Sequence, residues 1–173
     1  LETVLRAQAV RYPDKIALVC ENERIAYRDL ERRIARVAGG LKKQGLGAGD
    51  RIVLFLNNGV EIVELFFAAF SLGAIVVPVT TRLTPHELQH ICSDSQPFAI
   101  VFEGPGDSIK DVLNANPDAV WITVGKELEG AIAYESLRKS DVVPLPALSV
   151  QFDDAVIMYT SGTTGKPKGA IIT

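Results

Sequence analysis

Between Ile25 and Val79 the hydrophobic pattern switches back and forth between helical and strand character, and that switching restricts the fold more than any other feature of the chain. Leu30, Ile34, Val37, Ala38 and Leu41 recur at helical spacing, and Gly45 is placed to stop the helix they form. Arg32, Arg33, Arg36 and Lys43 fill the remaining positions and read as a solvated basic face. An apolar run predicts a strand over Arg51–Leu56, a helix follows from Val60 to Leu72 with Gly73 as its stop, and Ile75–Val77 reads as a buried strand. Further strands are predicted at Phe98–Phe102, Val120–Val124 and Ala155–Tyr159, with helices near Pro85, Ser108 and Tyr134. Strands that alternate with helices imply an α/β fold, a largely parallel sheet flanked by helices on both faces. Ahead of this region the pattern gives a helix from Leu1 to Arg11, then short strands Ile16–Cys20 and Ile25–Tyr27 joined by a turn at Asn22 and Glu23. The segment Val142–Val150 carries two prolines and is expected to cross the surface before the chain re-enters the sheet at Ala155.

The 173 residues suffice for one sizeable core, and 47% hydrophobic with 23% charged residues is ordinary for a globular domain. A formal charge of -3 argues against nucleic acid or an anionic membrane as partner. The longest apolar stretch, Leu65–Val79, falls short of the roughly 20 residues a spanning helix needs and contains Gly73 and Pro78, so no transmembrane segment is expected. Cys20 and Cys92 stand far apart and in no CxxC pattern, which favours reduced thiols over a disulfide or a metal site. The start shows no signal peptide, and the expectation is a cytoplasmic protein whose true N-terminus precedes Leu1.

Chemistry concentrates at Tyr159–Gly169, which reads YTSGTTGKPKG and directly follows an apolar run. Gly162, Gly165 and Gly169 allow the backbone to approach a ligand closely, and amides in such turns converge on anionic oxygens. Thr160, Ser161, Thr163 and Thr164 add hydroxyl donors, and Lys168 adds a mobile positive charge beside Pro167. A phosphate oxygen about 4 Å from that ammonium gains roughly 4 kcal/mol at an effective dielectric near 20. The loop is not a Walker A motif: Pro167 stands where the second glycine would be, and Lys166 is followed by proline instead of a hydroxyl. Ala170-Ile171-Ile172-Thr173 is β-branched, so the loop is expected to join two strands.

The string YTSGTTGKPKG resembles the phosphate-binding signature of the adenylate-forming, AMP-binding enzymes: acyl-CoA synthetases, adenylation domains of peptide synthetases, and luciferases. IAYRDLERR, Ile25–Arg33, and FFAAFSLGAIVVPVTTRLTPHEL, Phe66–Leu88, resemble earlier motifs of that family in the expected order, so the resemblance spans nearly the whole chain. One departure is Thr80, where relatives often carry asparagine; another is that the residues end at Thr173, before the family's later motifs. The resemblance implies that residues 1–173 form the N-terminal, incomplete portion of an AMP-binding domain. It implies an acyl-CoA ligase that uses ATP, Mg2+ and CoA to activate a fatty or aryl carboxylate, with a homodimer left open. Thr160, Ser161, Gly162, Thr163, Thr164, Gly165 and Lys168 would form the polyphosphate cradle, with Thr160 also at the Mg2+. The late catalytic lysine and the adenine contacts of the family belong to later motifs, so these residues alone are expected to be inactive. A non-catalytic nucleotide-binding relative is the alternative within the same resemblance.

His86-Glu87-Leu88-Gln89-His90 also spells H-E-x-x-H, the zinc-peptidase pattern in which two histidines on one helical face hold the metal. No third histidine exists, and a carboxylate such as Glu103 would have to complete the site. The same stretch reads as a helix start, with Thr84 as N-cap, Pro85 at the first helical position and Glu87 closing a capping box. A glutamate committed to that cap is withdrawn from a zinc site, and the helix start is the preferred reading.

Overall fold

The computed structural model describes residues 2–104, 109–142, 154–160 and 167–173. Their order is α1 (Glu2–Arg11), β1 (Ile16–Cys20), β2 (Glu23–Ala26), α2 (Tyr27–Gln44), β3 (Arg51–Phe55), α3 (Val60–Ser71), β4 (Ile75–Val79), α4 (Pro85–Ser95), β5 (Ala99–Glu103), α5 (Lys110–Asn114), β6 (Val120–Val124), β7 (Ile132–Ala133), α6 (Tyr134–Arg138), β8 (Val156–Thr160) and β9 (Lys168–Ile172). The expected alternation is present. The differences are local: the turn between β1 and β2 sits one residue early, with Glu21 at φ 50, and Tyr27 opens α2 instead of closing β2. The two-residue strand β7 was not predicted, because two residues are too short for any period to show. Most of the prolyl segment Val142–Val150 lies outside the described residues.

Strands β3 to β9 form one seven-stranded sheet in the order β7-β6-β5-β3-β4-β8-β9, parallel throughout except for the antiparallel β8–β9 pair at its edge, while β1 and β2 form a separate hairpin. Successive strand residues point to opposite faces, and both faces are covered. Ile52, Leu54, Val76, Val101 and Ile122 pack toward Leu30, Ile34, Val37, Ala38 and Leu41 of α2, with α3 and α6 in the same layer. Val53, Phe55, Val77, Ile100 and Phe102 pack toward Leu88, Ile91 and Cys92 of α4 and Val112 and Leu113 of α5. Each such aliphatic side chain withdrawn from water contributes about 1.5–3 kcal/mol, which is why a strand apolar on both faces is stable only between two helical layers. Helix α2 ends as its sequence predicts, with Gly45 at φ 106 and its amide donating back to the last turn.

The basic face of α2 is not wholly solvated. Arg33 reaches inward between helices to the fully buried Glu64 of α3, at 3.6 Å, and Arg138 of α6 approaches the same carboxylate at 3.6 Å. The hydroxyl of Tyr134 donates to Glu64. Burial pushes the Glu64 carboxyl above its usual range, against the Tyr134 hydrogen bond and the guanidinium charges of Arg138 and Arg33, which act to lower it. Arg33 Nη1 and Glu64 Oε1 make no hydrogen bond, so this junction of α2, α3 and α6 is held by charge and by the tyrosine more than by a closed guanidinium–carboxylate fork.

Candidate functional site

Because β3, β4, β5 and β8 run parallel, their carboxyl ends lie along one edge of the sheet, the edge at which open α/β sheets receive ligands. Strand β3 connects to β4 on one side, and the chain then crosses back to place β5 on the other side of β3. A small polar cluster stands on this edge. The backbone amide and Nδ2 of Asn57 donate to Glu103 Oε2 at 3.2 and 3.0 Å, and Thr81 Oγ1 donates to Asn57 Oδ1 at 2.9 Å. The Arg82 amide donates to Thr80 Oγ1 at 3.3 Å. Sequence reading did not find Asn57 and Thr81, which become neighbours of Glu103 only through the parallel pairing of β3 with β4 and β5.

Strands β8 and β9 pair antiparallel, so the motif does join two strands, and Thr160 faces Lys168 directly across the pair at the mouth of the connecting loop. A hydroxyl and an ammonium-bearing side chain are thereby brought together, both exposed at the carboxyl edge. Among the described residues no ion pair engages Lys168. Ser161, Gly162, Thr163, Thr164 and Gly165, together with Lys166, lie outside the described residues. Gly169 has a structural reason: a Cβ there would stand 2.8 Å from Ile157 Cγ2 and 3.2 Å from Tyr159 Cζ, so any side chain would force Ile157 to shift and crowd the ring of its cross-strand partner Tyr159.

A second sequence feature shapes this corner. The Val76 amide donates to Ala155 O on the β8 side, and amides two residues apart in a strand point the same way, so Pro78 occupies the next position that would face β8. Proline has no amide to give, and the registered pairing of β4 with β8 is Val76 with Val156 alone. The ladder between these strands therefore stops short of the carboxyl edge, between Thr80, just past β4, and Thr160 at the end of β8.

The H-E-x-x-H stretch is spent on other contacts. Thr84 caps α4: its side chain accepts from the Glu87 amide at 3.3 Å, and its own amide and hydroxyl donate to Glu87 Oε2 at 2.8 Å each. These hydrogen bonds, the backbone one first, hold the Glu87 carboxyl below its usual range. His90 Nε2 lies 3.2 Å from the Pro167 carbonyl, and Glu103 is engaged by Asn57. Among the described residues no group of three metal-ligating side chains comes together, which leaves the zinc-peptidase alternative without support. Cys92 is buried, its thiol pushed up to about 12 by desolvation, and both cysteines are free. No helix of the described residues is long and apolar enough to cross a membrane.

With this geometry in view, residues 5–173 match the family of AMP-binding enzymes. The chain belongs to that family. A 3-oxocholest-4-en-26-oate–CoA ligase of Rhodococcus rhodochrous is 32% identical over 167 residues, covering 92% of this chain and 30% of that protein. The long-chain-fatty-acid–CoA ligase FadD13 of Mycobacterium tuberculosis is 35% identical over 156 residues, covering 87% of this chain and 30% of its own length. Among solved structures, the inhibitor-bound N-terminal domain of FACL13 from Mycobacterium tuberculosis superposes with a TM-score of 0.85 at 32% identity, covering 99% of this chain and 44% of that one. The chain thus spans about a third of the length of the curated relatives it matches.

Proposed function

We propose that residues 1–173 are the N-terminal portion of the AMP-binding domain of an ATP-dependent acid–thiol ligase. The observation that carries this reading is the hairpin pairing of Thr160 with Lys168 at the carboxyl edge of a parallel sheet, in a chain of the AMP-binding family. Thr160, Ser161, Gly162, Thr163, Thr164, Gly165 and Lys168 hold the β- and γ-phosphates of ATP. The exposed Lys168 and Thr160 fit an anionic ligand that carries Mg2+: a positive charge for phosphate oxygens and a hydroxyl oxygen for the ion. Mg2+, when bound, neutralises the polyphosphate and improves pyrophosphate as a leaving group.

The reaction has two halves. A carboxylate oxygen bonds to the α-phosphorus of ATP while the bond from that phosphorus to the bridging oxygen breaks, giving an acyl adenylate and pyrophosphate. A thiol sulfur, that of CoA, then bonds to the acyl carbon, its proton goes to solvent or a base, and AMP leaves. What the loop contributes is placement and charge neutralisation, with the α-phosphorus left open to attack. The names of the relatives support a fatty or similarly bulky carboxylate as substrate, within the fatty or aryl acids that the sequence resemblance implies.

The thioester half tests the whole reading. The complete protein, given ATP, Mg2+, CoA and a panel of fatty and aryl acids, is expected to yield an acyl-CoA identifiable by mass, together with AMP. Release of ADP and phosphate in its place, with no thioester from any acid, would contradict it.

A further inference from the structure

We propose that His90, the second histidine of the H-E-x-x-H stretch, is a positioning residue for the phosphate loop, acting through the Pro167 carbonyl on the peptide that leads into Lys168. The proposal rests on the reading of that loop as an ATP polyphosphate cradle. His90 Nε2 and Pro167 O are 3.2 Å apart, and since a carbonyl only accepts, the imidazole nitrogen is the donor. Pro167 has no amide, so this carbonyl is the whole of its backbone hydrogen-bonding capacity. The peptide joining Pro167 to Lys168 is planar and trans, so an oxygen held toward α4 turns the Lys168 amide away from α4.

The helix that does this is itself fixed. Its first turn is closed by the Thr84–Glu87 capping box, and Leu88, Ile91 and Cys92 anchor its inner face in the core. One turn beyond His90, Asp94 accepts from the Tyr159 hydroxyl at 2.5 Å, and residues four apart share one helical face. A single face of α4 therefore holds both strands of the hairpin, β8 through Tyr159 and the start of β9 through Pro167. Both ends of the loop are set against a rigid helix without His90 or Asp94 having to touch the nucleotide.

Titration calorimetry with MgATP on the complete protein separates this role from packing. In His90→Phe, which keeps a flat ring and removes the donor, MgATP binding should weaken about fivefold, the worth of one neutral hydrogen bond. The KM for the carboxylate and the thermal midpoint should stay near wild type. His90→Gln, whose amide can donate from a similar place, should restore binding to within about twofold. Lys168→Ala serves as the reference. If His90→Phe binds like wild type while Lys168→Ala binds poorly, the positioning role is overturned and the phosphate loop stands. Equal weakening in His90→Phe and His90→Gln, accompanied by a common fall in thermal midpoint, would overturn it in favour of packing. Unchanged binding in Lys168→Ala would overturn the loop reading and this inference together.

Discussion

Lys166 and Lys168 stand on either side of Pro167, and only Lys168 belongs to the proposed phosphate cradle. Lys168 begins β9 and faces Thr160, so its backbone is held by strand pairing while its side chain remains exposed at the sheet edge. On the proposed assignment Lys168→Ala would remove a charge-assisted hydrogen bond to phosphate and should weaken ATP binding or slow adenylation by about tenfold or more, whereas Lys166→Ala should change either by much less. Steady-state kinetics on the two variants of the complete protein checks this; equal and small effects would mean that neither lysine serves the phosphates as assigned. At this scale the motif was legible because its residues are contiguous. Asn57, Thr81 and Glu103 were not, since strand pairing unites residues that lie far apart along the chain. Arg33 was misread for the same reason: its buried partner Glu64 sits within an apolar helix whose neighbours gave no hint of a charge pair.

At the scale of the elements, hydrophobic period predicted nearly every strand and helix, because burial on a sheet or on one helical stripe imposes that period directly. Order within the sheet was not readable: nothing local announces that β5 pairs with β3 on the side opposite β4, or that Pro78 ends the β4–β8 ladder. The joint among α2, α3 and α6 offers a test of how burial and charge balance there. The folded pKa of Glu64 is raised above its ordinary 4.5, so the folded state holds this proton more tightly than the unfolded chain. Its contribution to stability is thus fully present below the unfolded value and is lost as pH rises through the folded one. Against a Glu64→Gln variant, which does not titrate, the relative stability of the wild type should fall between acid and neutral pH. Thermal midpoints of both proteins across that range decide it; a wild-type advantage that grows with pH would mean that Arg138 and Arg33 outweigh burial.

For the whole molecule, fold and family rest on the same stretch, since the family match runs over residues 5–173. The alternation of strands and helices fixes the α/β architecture, while the proposed chemistry rests on the pairing of Thr160 with Lys168 at the carboxyl edge. The matched relatives are about three times as long, and the proposed activity belongs to the complete protein. Adenylation is reversible up to the acyl adenylate, so it exchanges pyrophosphate into ATP without any need for the thiol acceptor. The complete protein, supplied with ATP, Mg2+, labelled pyrophosphate and the same panel of acids, should incorporate label into ATP only when an accepted carboxylate is present, and Lys168→Ala should slow that incorporation. A correctly folded complete protein that binds ATP yet exchanges no label with any acid would contradict carboxylate activation and leave a nucleotide-binding protein without that chemistry.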